Sequence, residues 1–561
     1  MNNIENKKRY YIICMIFVYI FFILAFRIVG FNYFKGKDLA TVAENQYQYK
    51  EKKNELNYLL LDYKGRDLLK YKYEYFVVID PYTYLTNNNY AKKEDMEVIK
   101  ILLKNYNKNY DINTKINTNS ASKITWNIDE ITYNNLKKIK GVNGIYAYKY
   151  SLVDRDNSYW SVENLITNTI RNVNGEPEEK SEDSIEMKLA NKTKNNEYIY
   201  NVFEKDVNGR INNEFNTVPK KNINVKLTLD KTIQENIKNI LNQKKYSSYE
   251  QIGVILMESD TGNIKAMVQK DDSKPNINIG ASTQNGFFAG SILKAIVEEA
   301  GIKNNKISLN KVYKHRNFQG LFEEHEDHKD KTIEEAFIKS SNNIFVQIGM
   351  NVGIKDFDML CMNQGLYDKV LGFDHEEKGN LEMNKNTTPD DSGDSLQAYI
   401  GQKTRITPIE AISIPTTIIN NGVYVKPKLI DSYVDKDNNV IEKCDTDKKK
   451  TITSLNSNIL KNQMIKVVRE GTGKNAYIPN IEVGGKTGTS NRVESINLKN
   501  NSKEVKEYCD GWFTGFFKVK DRYYSMVVFV QNIGKDVNAS GSAVPIFKKI
   551  VTENYNYLNK F

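Results

Sequence analysis

The sequence predicts an α+β chain: an antiparallel sheet between helices over residues 223–561, a β-containing module before it, and one N-terminal transmembrane helix. Three observations carry this. One uncharged apolar run lies near the N-terminus. Residues 32–222 are polar, with short alternating stretches. Strand patterns mark both ends of 223–561, with helical patterns between them.

The apolar run is Tyr10–Phe26, followed by Arg27 and Ile28-Val29-Gly30-Phe31. A spanning helix needs about 20 apolar residues, and Arg27 can snorkel to the head groups. The expected divisions are a cytoplasmic tail over 1–9 and an anchor over 10–31. Lys7, Lys8 and Arg9 precede the run, so the positive-inside rule places Met1 in the cytoplasm and residues from 32 onward outside it. Bulky Phe, Ile and Tyr, with no small-residue cleavage site after them, argue against a removed signal peptide.

Residues 32–222 are rich in Asn, Lys and Tyr. Tyr58-Leu-Leu-Leu-Asp62 leads to a turn at Tyr63-Lys-Gly-Arg66, and Tyr75–Asp80 reads as a strand ended by Pro81. Glu176–Asn196 is charged and poor in apolar residues, and reads as an exposed connection. From residue 223 the patterning sharpens. Val225–Asp230 alternates like a strand, and Asp230 can cap a helix over Thr232–Leu241. Gly253–Glu258 and Asn263–Val268 flank a turn and read as a hairpin. Gly511–Phe517 and Tyr523–Val530 read as a second strand pair, and Val544–Leu558 as a closing helix.

With 561 residues the chain exceeds one ordinary domain. Its 80 Lys+Arg against 70 Asp+Glu give a net charge of +10, spread along the chain without the basic block that tracks nucleic acid. No nucleic-acid partner is expected. The four cysteines, Cys14, Cys361, Cys444 and Cys509, form neither a CxxC pair nor a disulfide framework. His325-Glu-Asp-His328 sits among charged residues and reads as a solvated loop rather than a metal site. No metal and no cofactor is implied.

Three short motifs carry the chemistry. Ser291-Ile-Leu-Lys294 is a Ser-x-x-Lys. The same spacing occurs at Ser120–Lys123 and Ser308–Lys311, but only Ser291 opens an apolar helix, Ile292–Ala300, closed by Gly301. Residues three apart share a helix face, so Lys294 can reach the Ser291 hydroxyl, and a helix start favours a developing alkoxide. Alone, such a Ser is more simply an N-cap. Ser340-Ser341-Asn342 follows the helical stretch Thr332–Ile338; by itself it would read as a helix-end cap. Lys486-Thr487-Gly488-Thr489, preceded by Gly484-Gly485, offers a strand for an extended peptide and a positive charge for a carboxylate. Two glycines there would let another backbone approach closely.

In this order the three motifs resemble those of the penicillin-binding proteins and serine β-lactamases. Val225–Gln234, Val254–Met267, Ala398-Tyr-Ile-Gly-Gln402 with Thr407-Pro408, Glu470-Gly-Thr-Gly473 and Trp512-Phe-Thr-Gly-Phe516 are similar to segments of the class B (monofunctional) transpeptidase domain. Phe34–Leu39, Ala43, Gln46 and an eroded Asp62-Tyr-Lys-Gly65 resemble the class B pedestal. The family usually has Pro where Ala289 stands. The resemblance implies a penicillin-binding transpeptidase domain over 223–561 and a pedestal or dimerisation-like module over 32–222.

It also implies a peptidoglycan D,D-transpeptidase that cross-links stem peptides through an acyl-enzyme and is a β-lactam target. Ser291 would be the nucleophile and Lys294 its base. Ser340 would pass the proton to the leaving amine, and Asn342 would hold the stem's amide. Lys486, Thr487 and Thr489, with Gly488 between them, would bind the terminal carboxylate. The backbone N–H groups of Ser291 and Thr489 would form the oxyanion hole. Stem peptides, β-lactams, the membrane and a membrane glycosyltransferase are the implied partners. A β-lactamase of this fold would be shorter, and a β-lactam sensor would need more than Met1–Arg9 before the span. A non-catalytic assembly scaffold would have no need of the intact motif set.

Overall fold

A computed structural model describes residues 2–30, 47–116, 122–316, 318, 329–384, 386–497, 503–534 and 537–560, with side chains of 2–9 and 492–507 excepted. Phe34–Leu39, Ala43, Gln46 and His325–His328 lie outside the described residues.

Helix α1, Asn2–Gly30, contains the apolar run. Its Tyr10–Gly30 stretch, with a mean hydropathy of 2.8 and an apolar window left unburied by the described residues, is long and apolar enough to cross a membrane.

The chain folds as two compact units. The first comprises Met1–Asn57, Tyr71–Val153 and Glu197–Pro219. Its central strand, Tyr71–Ile79, pairs antiparallel with Ile124–Ile128 and Ile145–Val153. Only the end of the strand, Val77–Ile79, is fully buried. There Val77 and Ile79 face Ile99 and Leu103 of the helix Lys93–Tyr106, while Val78 points the other way to Tyr49, Tyr146 and Phe203. The period of two splits one apolar run between two cores. The strand stops before Pro81, as its sequence predicts; there Asp80 also accepts from Thr83 N–H at 3.2 Å and caps a helix that starts at Pro81, which the sequence reading did not give.

The second unit comprises Tyr58–Lys70, Asp154–Asn196 and Lys220–Phe561. The division therefore does not fall at one point near residue 222. Leu60–Leu61 pairs parallel with Asn224–Leu227. The fully buried Asp62 then accepts from the Arg66 guanidinium, which also reaches Asp230 at 3.1 Å. Glu176–Asn196 differs from the expected exposed connection. It forms a hairpin strand and a helix, Ile185–Thr193, and buries the ion pair Lys180–Glu186 at 2.8 Å. Charge content alone hid that pairing, because each charge meets its partner indoors.

The core of the second unit is a five-stranded antiparallel sheet. Its strands are β1 (Gln251–Glu258), β2 (Ile264–Gln269), β3 (Val483–Asn497), β4 (Lys503–Val519) and β5 (Arg522–Gln531). Their spatial order is β2-β1-β5-β4-β3, so β3 is an edge. On one face, α2 (Lys231–Leu241) and the closing helix Ala543–Leu558 bury Ile233, Ile237, Phe547 and Ile550 against Val254, Phe513 and Val528. Asp230 caps α2 through Thr232 N–H at 2.9 Å. Among the other helices of this unit are α3 (Lys294–Lys303), α4 (Ile333–Lys339), α5 (Asn342–Val352), α6 (Ile354–Asn363) and α7 (Ser454–Glu470). Helix α3 runs through Gly301 rather than closing there; a Cβ at Gly301 would lie 2.6 Å from Ile307.

Candidate active site

Ser291 lies in a single 3₁₀ turn, Gly290–Leu293, that feeds into α3 at Lys294. The turn is pinned from both sides. Ala289 N–H donates to Thr404 O at 3.0 Å and Gly290 N–H to Gly401 O at 2.9 Å. Gly290 has φ +57°, and a Cβ there would lie 2.5 Å from Thr489 O. From the strand's side, a Cβ on Gly488 would lie 3.0 Å from Ala289 O and 3.1 Å from Ile292 N. These two glycines let the turn of Ser291 rest directly on the backbone of β3. Ser291 itself is partly exposed while its neighbours Gly290, Ile292 and Leu293 are buried.

Gly484 and Gly485 do a different job from the one their sequence suggests. Their Cβ positions would collide with the rings of Phe516 and Phe513, side chains of the adjacent strand. They make room for aromatic rings, not for a second backbone.

Ser340 stands between α4 and α5 in a left-handed conformation, φ 60°. Helix α4 is fixed at its start by a reciprocal cap between Thr332 and Glu335. Ser341 is the buried cap of α5, through Ile344 N–H at 3.3 Å. The cap expected for the Ser-Ser-Asn motif is thus made by its middle residue, which leaves Ser340 and Asn342 for the site.

Lys294 is fully buried, and its Nζ donates to Ser340 O at 2.5 Å, Asn342 Oδ1 at 2.7 Å and Ser340 Oγ at 3.3 Å. Lys486, also fully buried, donates to Ser340 Oγ at 2.8 Å and to Thr487 O at 3.2 Å. Each ammonium also lies 5.6 Å from a ring centroid, Phe345 for Lys294 and Phe337 for Lys486. Two buried amines thus converge on one hydroxyl. Burial, and then the Lys294 charge, push the Lys486 amine well below the ordinary lysine range. None of these hydrogen-bond partners is a carboxylate. The Lys486 amine therefore gives up its proton more readily than an exposed lysine would.

Thr487 Oγ1 shares a 2.6 Å hydrogen bond with Thr472 Oγ1, and Ala539 N–H donates to Thr489 Oγ1 at 3.3 Å. The structure therefore brings Lys294, Ser340, Asn342 and Lys486 into direct contact, and Gly488 and Thr489 onto the turn of Ser291. Sequence reasoning did not give roles to Thr472 or to Trp512, whose Nε1 donates to Phe288 O at 3.0 Å. Both sit in stretches that stood out as similar to the class B domain, Glu470–Gly473 and Trp512–Phe516, and that was their only signal.

Residues 252–552 match the family model of the penicillin binding protein transpeptidase domain, more than half of the chain. The chain belongs to the penicillin-binding protein transpeptidase family. The class B resemblance read from the motifs is borne out by its relatives. Stage V sporulation protein D of Bacillus subtilis is 24% identical over 360 residues, which is 60% of this chain and 54% of that protein. Penicillin-binding protein PbpB of Mycolicibacterium smegmatis is 25% identical over 296 residues, 48% of this chain and 45% of its own. The match thus spans about half the length of these relatives. Among solved structures, penicillin binding protein 2X of Streptococcus thermophilus superposes with a TM-score of 0.63 at 17% identity, covering 91% of this chain and 80% of that one. A peptidoglycan synthetase of Bifidobacterium adolescentis does so at 0.62 and 14%, covering 91% and 97%. At such identities the likeness shows the penicillin-binding protein fold. In this family member the fold gathers Lys294, Asn342 and Lys486 at Ser340 and sets Gly488 and Thr489 against the turn of Ser291.

Proposed function

We propose that this chain is a peptidoglycan D,D-transpeptidase that works through a Ser291 acyl-enzyme. The observation that carries the reading is the convergence of Lys294 and Lys486 on Ser340 Oγ, beside the turn that presents Ser291. A serine hydroxyl needs an adjacent base, and a buried amine deprived of its proton is one.

In this reading a stem peptide ending in D-Ala-D-Ala lies along the free edge of β3. Neutral Lys294 takes the proton of Ser291 Oγ as that oxygen attacks the penultimate carbonyl. The N–H groups of Ser291 and Thr489 bind the resulting oxyanion; one such donor is worth about 10²–10³ in rate. Ser340, held by both lysines, passes a proton to the leaving D-alanine nitrogen as the C–N bond breaks. Asn342 holds the stem's amide, and Lys486 with Thr487 and Thr489 receives the terminal carboxylate. An amine from a neighbouring stem then attacks the ester and frees Ser291. β-Lactams acylate the same oxygen because their strained amide mimics the peptide.

The rest of the reading follows from the anchor. Helix α1 holds the protein to the membrane, residues from 32 onward lie outside the cytoplasm, and residues 32–222 supply most of the pedestal. A membrane glycosyltransferase is the natural source of the strands to be joined.

The test is an exchange assay on the full chain in detergent micelles, with a synthetic acyl-D-Ala-D-Ala peptide and a D-amino-acid acceptor. Release of D-alanine together with the exchanged peptide supports the reading. Release with water as the sole acceptor, and rapid penicillin turnover, would overturn it in favour of a hydrolase.

A further inference from the structure

Two carboxyl groups sit on the helix of the nucleophile and take no part in the mechanism above. Glu298 and Glu299 follow Lys294 on α3, and both are fully buried. Each faces one glutamine from a different element. Glu298 Oε1 accepts from Gln463 Nε2 of α7 at 2.7 Å, and Glu299 Oε2 accepts from Gln364 Nε2, just past the end of α6.

The other half of each pair is left over in a matching way. Glu298 Oε2, Glu299 Oε1, Gln463 Oε1 and Gln364 Oε1 are all buried without a partner among the described residues. All four are acceptors when the carboxyls are ionised, and a buried acceptor left unsatisfied is costly. One proton on each glutamate resolves all four. A carboxylic acid donates O–H to the amide oxygen while the amide N–H donates back, which closes a reciprocal pair. The glutamines cannot serve both oxygens of a carboxylate and also satisfy their own.

We propose that Glu298 and Glu299 are neutral acids in the folded chain, each locked to its glutamine, and that these two proton-bearing bridges position the nucleophile's helix against α7 and α6. The positioning role rests on the Ser291 reading given above; the protonation state does not.

The surroundings agree. Burial pushes both carboxyls up to about 8, against an opposing pull from the glutamine N–H groups. Glu299 and Glu334 add to the rise at Glu298, while Lys303 opposes it at Glu299. Among the elements packed on α3, α5 carries no titratable side chain. Helix α6 brings Cys361 and Asp358, with Lys355 and Asp356, the latter held by Lys306 at 2.8 Å. Helix α7 brings Lys466, paired with Glu334 of α4 at 2.5 Å, Lys461, paired with Glu482 at 3.2 Å, and Arg469 and Glu470 at its far end. On α3 itself Lys294 is spent on Ser340 and Asn342. A neutral Glu298, one turn beyond Lys294, also adds no negative charge that would hold a proton on the base.

The sign of the pH effect follows. Each folded-state pKa, about 8, lies above the unfolded value of 4.5. The stabilisation is complete below the unfolded value and is lost as pH rises to the folded one, by about tenfold in the folding equilibrium per pH unit and per group.

The experiment is infrared spectroscopy of the full chain, labelled with ¹³C-carboxyl glutamate, in detergent micelles. At neutral pH the wild type is expected to show protonated-carboxyl C=O absorption that Glu298→Gln and Glu299→Gln each reduce by one group, and that titrates away near pH 8. Penicillin acylation should fall over the same range, and less so in the glutamine variants, which keep an amide in place of the acid. Spectra at neutral pH that do not differ between wild type and either variant would overturn the proposal. If the glutamate variants do not fold, Gln463→Leu decides: the Glu298 band shifts when its partner is removed, and an unshifted band refutes the pairing. The bands stand whether or not penicillin reacts, so a missing acylation overturns the transpeptidase reading by itself.

Discussion

Replacing Gly290 with alanine tests how closely the turn of Ser291 depends on β3. Gly290 has φ +57°, and an added Cβ would stand 2.5 Å from Thr489 O and 3.0 Å from Thr489 C. The left-handed conformation costs an alanine about 1–2 kcal/mol. The contact cannot be kept, because ordinary carbon contacts begin near ~3.5 Å. The turn must therefore retreat by about 1 Å, and a misplacement of that size in a reacting group costs about 10² in rate. Gly290→Ala should lower the second-order rate of acylation by a fluorescent penicillin about 100-fold, with a loss of about 1–3 kcal/mol in folding. Gly372→Ala is the control, since Gly372 has φ +82° and nothing within 4 Å of its Cβ position. It carries the backbone strain without the clash and should acylate normally. Acylation of Gly290→Ala within about threefold of wild type would refute the argument that this contact sets the position of Ser291.

Three further outcomes are expected. Ala289→Pro fits the backbone angle, φ −74°, but removes the N–H that donates to Thr404 O at 3.0 Å, so thermal denaturation should show a loss of about 1 kcal/mol. Lys486→Met should lower penicillin acylation by about 10²-fold or more, and it should also flatten the pH dependence of stability. The wild-type lysine sheds its proton at lower pH when folded than its ordinary 10.5, so unfolding takes up a proton in that window and stability rises with pH by up to about 1.4 kcal/mol per unit; a series of melting curves reads the slope directly. Thr472→Val removes the partner of Thr487 Oγ1 and should cut acylation about tenfold for about 1 kcal/mol of folding energy, as read by acylation kinetics beside melting curves.

The parts of this protein that were legible in the sequence are those whose cause is local. Asp230 caps α2, and the strand Tyr71–Ile79 stops before Pro81, because a cap or a proline stop depends only on its next few residues. The hairpin Gln251–Gln269 and the apolar α1 follow from periodicity alone. What stayed hidden depends on partners far away in the chain. Lys180 and Glu186 looked like part of a solvated run until the fold buried them together. Tyr58–Lys70 joins the second unit because Leu60–Leu61 pairs with a strand more than a hundred residues later. Glu298 meets Gln463, and no pattern on α3 announces it. At the site, the motifs named Lys294, Ser340, Asn342 and Lys486 but not their arrangement, in which one serine oxygen is the meeting point of two buried amines.

The central claim is that Ser291 is the oxygen that carries the acyl group. Intact-mass analysis of the full chain after exposure to a penicillin, with Ser291→Ala in parallel, tests it most directly. The account predicts one stable adduct per wild-type chain and none on Ser291→Ala. An adduct of the same mass on Ser291→Ala would contradict it.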